Sequence, residues 1–272
     1  MDLTSISNAV TAGRLASAKL SAGNTGGTGS TNQTSTQDSN DRIAKAFEKV
    51  EKRTQALRNT TSVELSAFGK LQSSVAETQN ASRALSVLSD AKQTTTEADV
   101  KKAASRFVTA FNNAASAARS TVDSQDKGAN PASAASSSAR RADSDLRKTI
   151  NVDATTKSDL KSIGITQQKD GSLVFDSKKF DAALKADPTA TRSTLSKIGQ
   201  EVDRTATKEL AKTGNIGGTV ASLTNRAREL ERLQTSQQTQ ASAALQAVTT
   251  QATRFNNSLN TATEAYQRIF SL

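Results

Sequence analysis

The chain runs to 272 residues, carries a net charge of +10, and contains no Cys, no His and no Trp. These absences exclude a disulfide framework, a thiol nucleophile, a zinc–thiolate site and the commonest general base, leaving only carboxylate or lysine chemistry for any catalysis. The basic excess fits either an acidic partner or a solvated surface; Lys and Arg interleave with Asp and Glu along the predicted helices, and groove-reading motifs and base-stacking aromatics are absent, so the solvated surface is the expectation and nucleic acid is not.

Hydrophobic residues make up 35% of the chain and aromatic ones 3%. An apolar set dominated by Ala suits long helices whose narrow stripes close on one another or on other subunits. No apolar run approaches the roughly 20 residues of a membrane span, so membrane insertion is not expected. The start, Met1-Asp2-Leu3-Thr4-Ser5-Ile6, lacks the basic and apolar regions of a Sec signal peptide.

Residues 1–20 carry Leu3, Ile6, Val10, Leu15 and Leu20, the pattern of an amphipathic terminal helix. Residues 21–39 are Gly, Ser, Thr, Asn and Gln without apolar period, which predicts a flexible linker. Residues 40–240 then read as a helical bundle domain. Its first helix, capped by Asn40 or Asp41, steps through Ile43, Phe47, Val50, Thr54 and Leu57 and resumes through Leu65, Phe68, Leu71, Val75, Leu85 and Leu88. Asn59-Thr60-Thr61 is a candidate break between the two runs.

Thr96-x-x-Asp99 forms a capping box that opens the next helix, striped by Val100, Ala104, Phe107, Phe111, Ala114 and Ala118. A loop at Lys127–Pro131 ends it, and a further helix follows at 133–150. The period then changes to two: Ile163-Gly164-Ile165 and Leu173-Val174-Phe175 flank Lys169-Asp170-Gly171, a β-hairpin over 163–175. A short helix over 176–186 precedes Asp187-Pro188, which reads as the N-cap and first-turn Pro of another helix, and Gly214 and Gly217-Gly218 punctuate before the last segment.

That last segment is the most regular. Ile216, Val220, Leu223, Ala227 and Leu230 keep a heptad; after a polar stretch from Gln234 to Gln240, read as a stutter, it restarts. Residues 241–272 form the C-terminal coiled-coil helix, with Ala241, Leu245, Val248, Ala252, Phe255, Leu259, Ala262, Tyr266 and Ile269 in register. The stripe, with Phe270, fits an intramolecular core or a seam between subunits. Leu245, Val248, Phe255, Leu259, Tyr266, Ile269 and Phe270 are therefore the candidate assembly interface. The fold class predicted is mainly α, an elongated antiparallel helical bundle or coiled coil with a small β-hairpin.

Nothing in the chain commits to catalysis, a cofactor or a metal. Gly23–Gly29 lacks the strand and Lys of a phosphate loop, and Asp170-Gly171 lacks the alternating ligands of a calcium loop. Glu229 and Glu231 do not share a helix face, and Arg140-Arg141 reads as a solvated one.

Four stretches, in order, resemble the flagellar filament-capping family, also called hook-associated protein 2. The first is Ile43–Ser89, ending SAFGKLQSSVAETQNASRALSVLS; the second, Asp99–Arg119, contains FVTAFN; the fourth is the C-terminal helix. The third is the most specific: LKSIGITQQKDGSLVFDSKKFDAALKADPTATRSTL, Leu160–Leu195, matches "L-x-x-I-G-I", "D-G-x-L-x-x-D", a short helix with "A-L", and "D-P". Members typically carry β-rich outer domains between the first two stretches, where this chain has only Asp90–Glu97. The resemblance implies a non-enzymatic cap, secreted without a cleaved signal through the flagellar type III export channel to the extracellular flagellum, where it serves motility and cell adhesion. It implies as partners a homo-oligomeric ring of copies of itself, flagellin, the hook-associated junction proteins, and an export chaperone before secretion. The rival readings are a hook–filament junction or accessory filament subunit, and a cytoplasmic basic coiled-coil adaptor.

Overall fold

The structure, a computed structural model, describes residues 30–90, 95–128, 134–151 and 154–270, with side chains left aside at 30–40, 124–128 and a few helical positions including Ile43, Ala252 and Phe270. The helix expected over 1–20 lies outside the described residues, as do the linker residues 21–29.

The fold is mainly α with one small antiparallel sheet. In chain order the elements are α1 (Ser30–Ser86), α2 (Glu97–Gly128), α3 (Ala134–Ile150), α4 (Ala154–Ser162), β1 (Ile165–Gln167), β2 (Leu173–Phe175), α5 (Ser177–Ala186), α6 (Pro188–Leu210) and α7 (Asn215–Phe270). By contacts they divide into a compact unit, Asn59–Ala227, and a terminal unit built from the chain up to Arg58 and from Arg228 onward.

Three local signals act as the sequence predicts. At the start of α2 the Asp99 amide donates to Thr96 Oγ1 at 3.2 Å while the Thr96 amide donates to Asp99 Oδ2 at 3.3 Å, the reciprocal capping box. Asp176 and Asp187 cap α5 and α6, accepting from the amides of Lys179 (3.0 Å) and Ala190 (2.8 Å), with Pro188 in the first turn of α6. The hairpin pairs Ile165 with Phe175 and Gln167 with Leu173, and Gly171 turns it with φ +83°.

Two expectations on α1 differ from the structure. The helix starts at Ser30, inside the segment read as a linker, and runs unbroken through Asn59-Thr60-Thr61. No Gly or Pro interrupts 30–68, and from Asn59 onward packing carries polar residues of middling propensity. Thr61 and Glu64 are themselves buried there.

The compact unit's core explains that packing. On α1 the buried positions are Thr61, Glu64, Phe68, Leu71, Val75, Thr78, Ser82 and Leu85, a continuous three-four repeat. Against it stand Phe107 and Phe111 of α2, whose rings lie 6.0 Å apart and tilted, Phe180 of α5, and Leu195, Ile198 and Val202 of α6. Two hydroxyls in this core are satisfied, Thr78 donating to the carbonyls of Ser74 (2.9 Å) and Ala110 (3.0 Å) and Ser82 to that of Thr78 (2.7 Å), whereas the Thr61 hydroxyl is buried without a partner among the described residues. Gly199 of α6 permits the closest approach, since a Cβ there would stand 2.5 Å from the Ser82 carbonyl oxygen and 2.7 Å from the Ser86 nitrogen.

The hairpin is held by side chains from the helices. Asn112 on α2 acts as a strand substitute, donating Nδ2 to the Leu173 carbonyl at 2.8 Å and accepting the Leu173 amide at 2.7 Å. Arg119 reaches the turn at Asp170 (3.3 Å to Oδ2).

Candidate assembly surface

The terminal unit has few large apolar side chains and treats them differently. Near its inner end α1 and α7 are tied by polar contacts: Thr54 Oγ1 donates to Val50 O and to Gln237 Oε1, each at 3.1 Å, and Arg58 donates to Gln234. Thr54 and Leu230 are buried there. Val50 and Leu57, both on the sequence stripe, are 43% exposed instead, because the buried line of this helix passes through Thr54.

Farther along α7 the candidate residues share one face. At about 100° per residue, Leu245, Val248, Phe255, Leu259, Tyr266 and Ile269 fall within roughly 120° of arc. Leu245 and Val248 are half-buried; Phe255 and Leu259 are 49% exposed, Tyr266 62% and Ile269 69%. Phe270 closes the helix, and its side chain lies outside the described residues.

The polar part of this helix is uncharged and internally satisfied. From Leu233 to Thr253 no charged residue occurs. Thr235, Thr239, Thr249, Thr250, Thr253, Thr261 and Thr263 each donate a hydroxyl to the carbonyl four residues earlier, at 2.9–3.1 Å. Of these Thr263 lies on the arc of the candidate residues, and its hydroxyl, already used, needs no new partner when another helix covers it. Among the described residues no group of His, Cys, Asp or Glu side chains could hold a metal, and no described helix is long and apolar enough to cross a membrane.

Groups with shifted protonation lie mostly in the compact unit. Burial pushes Glu209 above its ordinary value, opposed by the Asn215 amide nitrogen that donates to both its oxygens at 2.8 and 3.1 Å. Burial likewise raises Glu64, with Arg226 pulling it back. Hydrogen bonds from the Ser172 hydroxyl and amide, and then from Arg119, hold Asp170 down to about 2. The sequence reading passed over Glu64 and Asn112. The available signal for Glu64 was its place in the three-four register of α1, where a carboxylate is out of character.

The described residues thus form a mainly helical fold that leaves an apolar stripe of α7 facing solvent. The family described as flagellar hook-associated protein 2 C-terminus matches residues 76–272, more than half the chain, and the protein belongs to that family, the caps of the bacterial flagellar filament. Comparison with curated proteins finds no match.

Proposed function

We propose that several copies of this protein assemble at the tip of the flagellar filament and there promote the insertion and folding of flagellin, with the face of α7 from Leu245 to Ile269 as the seam that closes in the assembly. The observation that carries the reading is the exposure of Phe255, Leu259, Tyr266 and Ile269 along one face of a helix whose hydroxyls are already satisfied. A stripe of this kind gains about 25 cal/mol for each Å² it buries, which only a partner surface can supply. Reaching that site requires export, which the family's flagellar role supports.

Deletion of the gene is the test. Unpolymerised flagellin in the culture medium, with hooks that bear no filament, is the expected result; normal filaments without leakage overturn the cap. Complementation with Phe255→Asp or Leu259→Asp should fail, since either change places an unpaired charge in the seam.

One feature favours a second reading. Only residues 87–96 join α1 to α2, leaving no room there for an outer domain. A junction or accessory filament subunit would need none, and labelling the wild-type filament separates the two, a cap marking the tip alone.

A further inference from the structure

The compact unit holds a groove of about 300 Å³, at the lower end of volumes that receive small groups. Its walls come from the first turns of α3 and α7 and from the middle of α1, and most of its lining is small: Ala135, Ser138, Gly218 and Ser222. Two charged residues face it, Glu64 and Arg226.

Glu64 is the unusual member. Its residue is only 5% exposed, yet among the described residues its carboxylate accepts no hydrogen bond and forms no ion pair, and Arg226 acts on it only at a distance. A carboxylate offers about four acceptor sites, and those of Glu64 open on the groove rather than onto a donor of the fold. The position lies in the buried register of α1 between Thr61 and Phe68, where an apolar side chain would serve stability better. The chain thus carries, at the back of an open groove lined by small side chains, an acceptor that nothing in the fold satisfies.

We infer that this groove is a socket for the guanidinium or ammonium group of a basic side chain from a second copy of the chain, with Glu64 as its acceptor. A guanidinium or ammonium supplies the donors and the charge the carboxylate lacks, and the small lining leaves the aliphatic stem room to enter. A metal ion is a poorer fit, because the groove presents one carboxylate. The chain itself carries such groups in excess, with 36 Lys and Arg against 26 Asp and Glu. Copies carrying +10 repel one another, and a carboxylate socket at their contact offsets part of that repulsion. The choice of occupant rests on the self-assembling reading above; the site itself does not.

Two measurements on the full chain test it. The first titrates methylguanidinium and follows the backbone amides around Glu64 and Ser222 by NMR, in the wild type, Glu64→Gln and Arg226→Gln. Saturable binding in the millimolar range is expected for the wild type, at least tenfold weaker for Glu64→Gln, and tighter for Arg226→Gln, where the competing guanidinium is gone. Absent binding, or equal binding by Glu64→Gln, overturns the site. The second measures self-association by sedimentation velocity, with urea melts to verify that Glu64→Gln is at least as stable as the wild type. Glu64→Gln should weaken self-association at least fivefold and Arg226→Gln should not. Probe binding with unchanged self-association of Glu64→Gln overturns the second copy as occupant. A wild type that stays monomeric in the assay overturns both that occupant and the self-assembling reading, while the methylguanidinium titration still decides the site.

Discussion

Helix α7 carries one three-four spacing through both units of the molecule, and the two halves meet different fates. In the compact unit Ile216 is fully buried and Leu223 5% exposed; in the terminal unit Phe255 and Leu259 are half in solvent and Ile269 more so. The period is the same, so the period alone does not say what covers a stripe. What differs is supply: the compact unit brings Phe68, Phe107, Phe111 and Phe180 to meet the helices, each no more than 1% exposed, and the described terminal unit brings mostly polar side chains. A heptad specifies a face, and its occupant is decided elsewhere in the chain or in another molecule.

The largest effect should come from the core. Phe111→Ala removes a fully enclosed ring packed at a tilt against Phe107 and is expected to cost about 3–5 kcal/mol in urea unfolding of the isolated protein. Phe255→Ala in the same assay should change stability by less than about 0.5 kcal/mol, because its ring is half exposed, while impairing assembly. Equal costs for the two would break the comparison outright.

Next come the close contacts that keep the compact unit tight. Gly199→Ala drives a methyl into the backbone of α1 near Ser82 and should destabilise by about 1–3 kcal/mol. Asn112→Ala orphans the Leu173 amide and carbonyl and should cost about 1–3 kcal/mol, with faster hydrogen exchange confined to the hairpin. Exchange that accelerates evenly over the whole unit would show instead that the hairpin is no separate element.

What the sequence made legible follows the same division. The Thr96–Asp99 box, the Asp187-Pro188 start and the Asp170-Gly171 turn are set by residues within a few positions of one another, and each stands where its residues indicated. The N-cap expected at Asn40 or Asp41 lies inside α1, because no Gly or Pro between Ser30 and Asp41 stops the helix from running through it. Val50 and Leu57 looked like stripe and are exposed, while Thr54 between them is buried against a partner 183 positions away, Gln237. Asn112 pairs with a strand 61 positions distant. Glu64 was hidden for another reason: a buried acid in a heptad breaks the pattern by which buried positions are found.

The smallest expected effect concerns pH, and it belongs to the compact unit. Burial raises Glu209 above its ordinary 4.5, Asn215 partly offsets this by donating to the carboxylate, and neighbouring Asp145 adds to the rise. The folded protein therefore holds this proton more tightly than the unfolded chain, so the group's contribution to stability is complete below about pH 4.5 and is lost as pH climbs through the folded value. Glu64, raised by burial, acts in the same direction. Asp170, held down to about 2, acts in the opposite one: its contribution is present above its ordinary 3.8 and disappears as pH falls from there. The two trends place maximum stability in mildly acidic solution. Glu209→Gln keeps an oxygen for the Asn215 donor and removes the buried charge, so it should raise stability at neutral pH by about 1 kcal/mol and flatten the decline above the ordinary 4.5 in urea melts. An unchanged slope would mean that the carboxyl is solvated when the protein is folded; a slope flattened equally by Glu229→Gln, on the exposed surface of α7, would mean that net charge rather than burial sets the dependence.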